Sequence, residues 1–155
     1  MKKIGQYTAR GVISEQDTEA GNPQKITLFD GSFRTAYRVI GFKIWSVNYS
    51  GSSHSDAVGK LSKNPDGTTA STTFMRADDD NQIAWSGTQG STDGGGAMFE
   101  VVDPDNLIVE DLYVYARHGG ATGPVNYLVI MEKYEVTDWQ GALAMARDRA
   151  QGDVS

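Results

Sequence analysis

The side chains that could do chemistry in this sequence are few, and their spacing limits what they can do. Asp78-Asp79-Asp80 concentrates oxygen ligands in one loop, which suits a hard cation such as calcium. The run lacks the glycine and the distal bidentate glutamate of an EF-hand, so a solvated acidic loop is the expectation. The two histidines, His54 and His118, stand in or beside Gly/Ser-rich stretches. A zinc site or a catalytic dyad would need a third ligand or an orienting carboxylate, and nothing in the spacing supplies one. Residues 87–96 hold five glycines but neither Gly-Lys-Ser/Thr nor Gly-x-Gly-x-x-Gly, so they read as a flexible connection, not a phosphate loop. No serine sits in Gly-x-Ser-x-Gly. Glu110/Asp111 and Glu132/Glu135 fall on what reads as two facing arms of a hairpin, where a glycosidase-like carboxylate pair is conceivable. Charges on the exposed face of a sheet explain them equally well. The chain has no cysteine, which removes thiolate nucleophiles, disulfides and Cys-based zinc sites together. The expectation is a protein that is not an enzyme, with no catalytic residue, no cofactor and no metal.

Charge narrows the partners. Among 155 residues, 14 are Lys or Arg and 20 are Asp or Glu, a formal charge of −6. That sign repels phosphate backbones and anionic membranes, so no direct nucleic-acid contact and no membrane role are expected. The opening Met1-Lys2-Lys3-Ile4-Gly5-Gln6-Tyr7 has the lysines of a signal peptide without its apolar segment, and no run approaches the roughly 18 apolar residues of a membrane span. Synthesis in the cytoplasm is the expectation.

Positioning falls to strands. Segments 25–29, 36–49, 57–63, 68–75, 82–86 and 97–102 are short, partly alternating and bounded by turn signals such as Asp30-Gly31 and Asn64-Pro65-Asp66-Gly67. In 36–49 the period of two puts Ile40, Phe42 and Ile44 in the core, and Gly41 in mid-strand suggests a bulge or a close backbone approach. Residues 106–136 read as one long hairpin, its arms 106–118 and 125–136 joined by the Gly/Pro-rich tip 119–124. Strands in series without intervening helices predict an all-β antiparallel sandwich or single jelly roll of about eight strands. One C-terminal helix over 138–153 follows. Thr137 and Gln140 form a capping box, and Trp139, Leu143, Ala146 and Ala150 make an apolar stripe that docks on its own sandwich or on a neighbouring subunit. Residues 1–24 read as a polar N-terminal arm that borrows its order from a neighbour within or between chains. The division is arm 1–24, sandwich 25–137 and helix 138–153, one domain overall.

Aromatic residues carry the functional reading. If Leu112, Val114 and Ala116 face the core, Tyr113 and Tyr115 face the other way, toward a second layer, a partner or a sugar, with Trp45, Trp85 and Tyr49 as further stacking candidates. Tyr113, Tyr115, His118, Trp139, Leu143 and Ala146 are therefore the expected subunit interface.

The segment Glu110-Asp-Leu-Tyr-Val-Tyr-Ala116, the Gly-rich loop, Val125-Asn-Tyr-Leu-Val-Ile-Met-Glu132 and the capped helix together resemble the ending of short structural proteins encoded by marine bacteriophages. The resemblance covers about 45 of the residues and implies a small β-sandwich or jelly-roll virion protein, built in many copies and without catalysis. It carries over no functional residue. Coat proteins that bind a packaged genome often have a basic N-terminal arm. Here Lys2, Lys3, Arg10 and Lys25 are nearly balanced by Glu15, Asp17 and Glu19, which favours protein–protein contact in a shell, vertex, decoration or connector part. The expected partners are copies of the same chain and other virion proteins. A carbohydrate- or receptor-binding β-sandwich module is the alternative, and a hydrolase on a sandwich fold a weaker third.

Overall fold

The structure, a computed structural model, describes residues 2–48, 56–65, 75–89, 97–119, 123–137, 139, 140, 143 and 144. Among them are eight strands and one short helix: β1 (Lys2–Ile13), α1 (Glu15–Ala20), β2 (Gln24–Ile26), β3 (Thr35–Ser46), β4 (Ala57–Ser62), β5 (Gln82–Gln89), β6 (Ala97–Val102), β7 (Leu112–His118) and β8 (Val125–Glu135). They form two antiparallel sheets, one of three strands in the order β1-β8-β3 and one of five in the order β2-β7-β4-β5-β6. The fold is an all-β antiparallel sandwich.

The two apolar arms expected to make one hairpin do not pair with each other. β7 lies inside the five-stranded sheet and β8 is the centre of the three-stranded one. Each arm alternates apolar and polar, so each needs strand neighbours at its edges and a covering layer on one face. The two sheets stack as layers roughly 10 Å apart, so the arms face each other through the core and not through backbone hydrogen bonds. Leu112, Val114 and Ala116 then meet Val125, Tyr127, Val129 and Met131 in one apolar cluster with Phe42, Ile44, Leu61 and Ile83. Fully burying a side chain of this size contributes about 1.5–3 kcal/mol.

β3 shows how a glycine resets a face. Its pairing with β8 slips between Val39 and Gly41, the bulge expected at that glycine. The extra residue, Ile40, is turned outward, and Val39 takes the core position that strict alternation assigns to Ile40. Gly41 also lies under Ile130, whose side chain would come within 3.2 Å of an added Cβ. The bulge and the close approach occur together.

The N-terminal residues are ordered by their own chain. β1 pairs with β8 from Lys2 opposite Glu135 to Ile13 opposite Val125, with one slip between Lys3 and Gly5 that leaves Ile4 out of the ladder. α1 follows at once. Ser14 caps it by accepting the Asp17 N–H at 3.2 Å, Glu15 and Asp17 sit at the positive end of its dipole, and Gly21, at φ 75°, ends it. The Ser-x-x-Asp spacing and Gly21 were the available sequence signal for this helix. Thr18 Oγ1 donates to the Gly123 carbonyl at 3.0 Å and ties α1 to the start of β8. β5 runs three residues beyond the expected 82–86, because Gly87, Thr88 and Gln89 continue the ladder with β6. The remainder of the Gly-rich connection, 90–96, and the expected edge strand up to residue 74 lie outside the described residues.

Trp139, Gln140, Leu143 and Ala144 are helical; the rest of the expected helix over 138–153, Ala146 included, lies outside the described residues. The capping box forms, with the Thr137 N–H donating to Gln140 Oε1 at 3.1 Å and the Gln140 N–H donating to Thr137 Oγ1 at 3.2 Å. Of the two expected dockings, on the chain's own sandwich or on a neighbouring subunit, Trp139 and Leu143 do not take the first. Ala144 packs against a second cluster of Ala36, Val109, Tyr134 and Val136, whereas Trp139 and Leu143 are 72% and 55% exposed. The small Ala144 side chain faces the sandwich, and Trp139 and Leu143 face away.

Candidate assembly surface

The residues singled out for chemistry are held in structural pairings. Asp78 receives both Nε and Nη2 of Arg76, at 2.8 and 2.6 Å, and this pairing holds its carboxyl below the ordinary range. Asp79 accepts from the Asn81 N–H and the Gln82 amide, which closes the acidic turn on itself. Partial burial pushes the Asp111 carboxyl up, but the N–H groups of Leu28 and Phe29 and the Lys25 ammonium outweigh it and hold it low. Asp111 thus fastens the chain after β2 to the start of β7. Glu132 pairs with Lys3 at 2.5 Å and accepts from the Tyr134 hydroxyl at 2.9 Å, and these two bonds depress its pKa. With β7 and β8 in different sheets, the expected facing arrangement of Glu110/Asp111 and Glu132/Glu135 is not formed. Among the described residues no group of three or more His, Asp or Glu is placed to hold a metal ion. His54 lies outside them.

The edges of the sheets decide where another chain can bind. β3 is closed along its outer edge by side chains and a bridge. Tyr37 exchanges both backbone hydrogen bonds with Ile108 at 2.8 Å. The Phe42 N–H donates to Glu100 Oε2 of β6 at 2.9 Å, and Lys43 pairs with the same oxygen. Thr88 Oγ1 of β5 donates to the Ile44 carbonyl at 2.5 Å, and Ser46 Oγ meets His118 Nε2 of β7 at 2.8 Å. These bonds stitch the edge of one sheet to the other sheet. Ser46 is buried and its hydroxyl also accepts the Asn48 N–H at 3.2 Å, so the Ser46–His118 contact belongs to this seam.

β1 and β6 are different. Among the described residues β1 pairs only with β8 and β6 only with β5. β1 exposes Ile4, Tyr7 and Val12 at 48%, 44% and 53%, and β6 exposes Met98, Phe99 and Val101. Exposed strand edges with apolar side chains are templates for pairing with another chain. Phe99 also covers Gly87, its cross-strand partner, so its ring lies along the outer face of the five-stranded sheet.

The expected interface residues differ in exposure. Tyr115 is 1% exposed, with Lys60 Nζ 5.3 Å from its ring centroid, so it is withdrawn from any surface another subunit could meet. The period of two placed it off the core face correctly, but a covered outer face has no sequence signature. Tyr113 and His118 are half-buried on β7, while Trp139 and Leu143 are exposed at the sandwich end. Ala146 lies outside the described residues. Within the polar stretch 1–24, Ile4, Tyr7, Val12 and Ile13 share no strand period, so β1 leaves little mark in the sequence.

Compared with known protein families and with curated proteins, the chain matches none.

Proposed function

We propose that the chain is a non-enzymatic structural subunit that self-assembles in many copies through its β-sandwich surfaces. The setting is the one its C-terminal resemblance implies, a virion part such as a shell, vertex, decoration or connector component. The observation that carries this reading is β1, a 12-residue edge strand with one side unpaired among the described residues and apolar side chains in solvent. The acidic and histidine side chains described above support it, since they serve as struts and seams. Sedimentation at tens of micromolar is the test, followed by negative-stain microscopy for symmetry. A cyclic multimer or shell lattice is expected, and five- or sixfold order would separate a shell part from a free domain. A strictly monomeric particle would overturn the reading.

One observation favours the alternative, a carbohydrate- or receptor-binding module. Trp45 is part-exposed on the outer face of the three-stranded sheet, opposite Asn126 in register, and Trp85 and Tyr113 are not fully buried. A glycan array without hits, or unchanged binding by Trp45→Ala, would remove it.

A further inference from the structure

We propose that the open edge of β1 pairs antiparallel with β1 of a second copy, about a two-fold axis near Thr8, to join two three-stranded sheets into one of six. This rests on the self-assembly reading and names the surface used. No hydrogen bond from another described element reaches β1 except from β8 and its side chains, in contrast to the seam along β3. Its second row of backbone N–H and C=O groups is therefore available to a strand of similar length, and β1 itself is that strand.

Charge selects the orientation and the occupant. β1 carries Lys2, Lys3 and Arg10 and no acid, while α1, one residue beyond its end, carries Glu15, Asp17 and Glu19 and no base. Antiparallel pairing brings the lysines of each copy to the far end of the other β1, beside that copy's α1. The two-fold axis makes this happen twice. Parallel pairing would instead set lysines beside lysines. With Thr8 on the axis, Gln6 comes to Arg10 of the other copy and the bulge at Ile4 falls near Val12, so no cation faces a cation. The pairing uses the same patch on both subunits and closes, giving a defined dimer as the unit of a larger assembly. β6 of a second copy is the rival occupant, but it has six residues where β1 has 12.

The chain contains no cysteine, so single introduced cysteines report the pairing cleanly. Gln6→Cys and Thr8→Cys lie on exposed positions near the axis, and Val101→Cys on β6 is the control. Mild oxidation at tens of micromolar should convert most of the Thr8→Cys chain, and less of the Gln6→Cys chain, to a covalent dimer on a denaturing gel. Val101→Cys should stay single. In the Thr8→Cys background, Lys2→Glu and Glu15→Lys/Glu19→Lys should each lower the yield, and mixing the two should restore it, because the swapped charges again face their opposites. Cross-linking at Val101→Cys instead of β1 would overturn the proposal. So would none at β1 in a chain that still sediments as an oligomer, a result that leaves the assembly reading standing. A chain that is monomeric throughout overturns both.

Discussion

Gly59 and Gly5 are both glycines within strands, yet the space around them is opposite in kind. A Cβ at Gly59 would come within 2.8 Å of the Tyr115 carbonyl oxygen and 2.9 Å of Ile44 Cδ1, at the centre of the sandwich where backbone cannot yield. Nothing lies within 4 Å of a Cβ at Gly5. Gly59→Ala should therefore cost about 1–3 kcal/mol through overpacking. Gly5→Ala should be neutral or add about 0.4–1 kcal/mol by restricting the unfolded chain. Urea denaturation of both variants checks the contrast, and equal effects would contradict it.

Lys60 is fully buried beneath the outer face of the five-stranded sheet, and desolvation pushes its amine down to about 8 against the pull of Asp79. A depressed amine binds fewer protons in the folded than in the unfolded chain between pH 8 and about 10.4, so this group makes stability rise with pH across that window. Lys60→Met removes the buried cation while keeping the length of the side chain. The variant should be more stable than the parent at pH 7, by on the order of 1 kcal/mol. That advantage should shrink as the pH climbs from 8 to 10. A gap that does not change with pH would mean that Lys60 keeps its proton throughout.

At the scale of elements, the seam between β3 and β5/β6 turns two sheets into one unit. Glu100 is its central stitch, since one carboxylate oxygen holds both the Phe42 N–H and the Lys43 ammonium. Glu100→Ala leaves the Phe42 N–H without that acceptor at the sheet edge and should cost about 1–3 kcal/mol. Faster amide exchange at Phe42 should accompany the loss. Glu100→Gln, which retains an oxygen, should lose less; equal losses would point to charge in place of the hydrogen bond. The alternation Met98, Glu100, Val102 is visible in the sequence, but a single glutamate among apolar residues carries no sign that it will reach across to another sheet. Elements whose order is local were legible. β6 runs over 97–102 as expected, β4 lies within 57–63, and the Thr137–Gln140 capping box forms as its spacing requires.

The whole molecule depends on β1 in a way its composition conceals. Removing residues 2–13 would strip Ile13 from the core and leave β8, now central, as an edge that exposes Val129 and Met131. Loss of cooperative unfolding, or aggregation, is expected. A truncated chain that melts like the parent would show that the three-stranded sheet holds without it.

Sequence alone determined the class of the fold, because alternating apolar residues between turn signals can be buried only as strands in layers. It also determined the bulge at Gly41, the Thr137–Gln140 capping bonds and the core face of Leu112, Val114 and Ala116, each of which rests on neighbours within a few residues. Tertiary structure alone decided which strands became partners. Residues 106–136 have the pattern of a hairpin, and a hairpin and an arch between two sheets differ only in what lies beside each arm. β1 took one side of β8, β3 took the other, and β4 and β2 took the sides of β7. That choice buried Tyr115, carried Glu110 and Asp111 away from Glu132 and Glu135, and left an edge of β1 open to solvent. Pairings between residues a hundred positions apart leave no local mark, because burial is settled by the sum of contacts and not by any one segment.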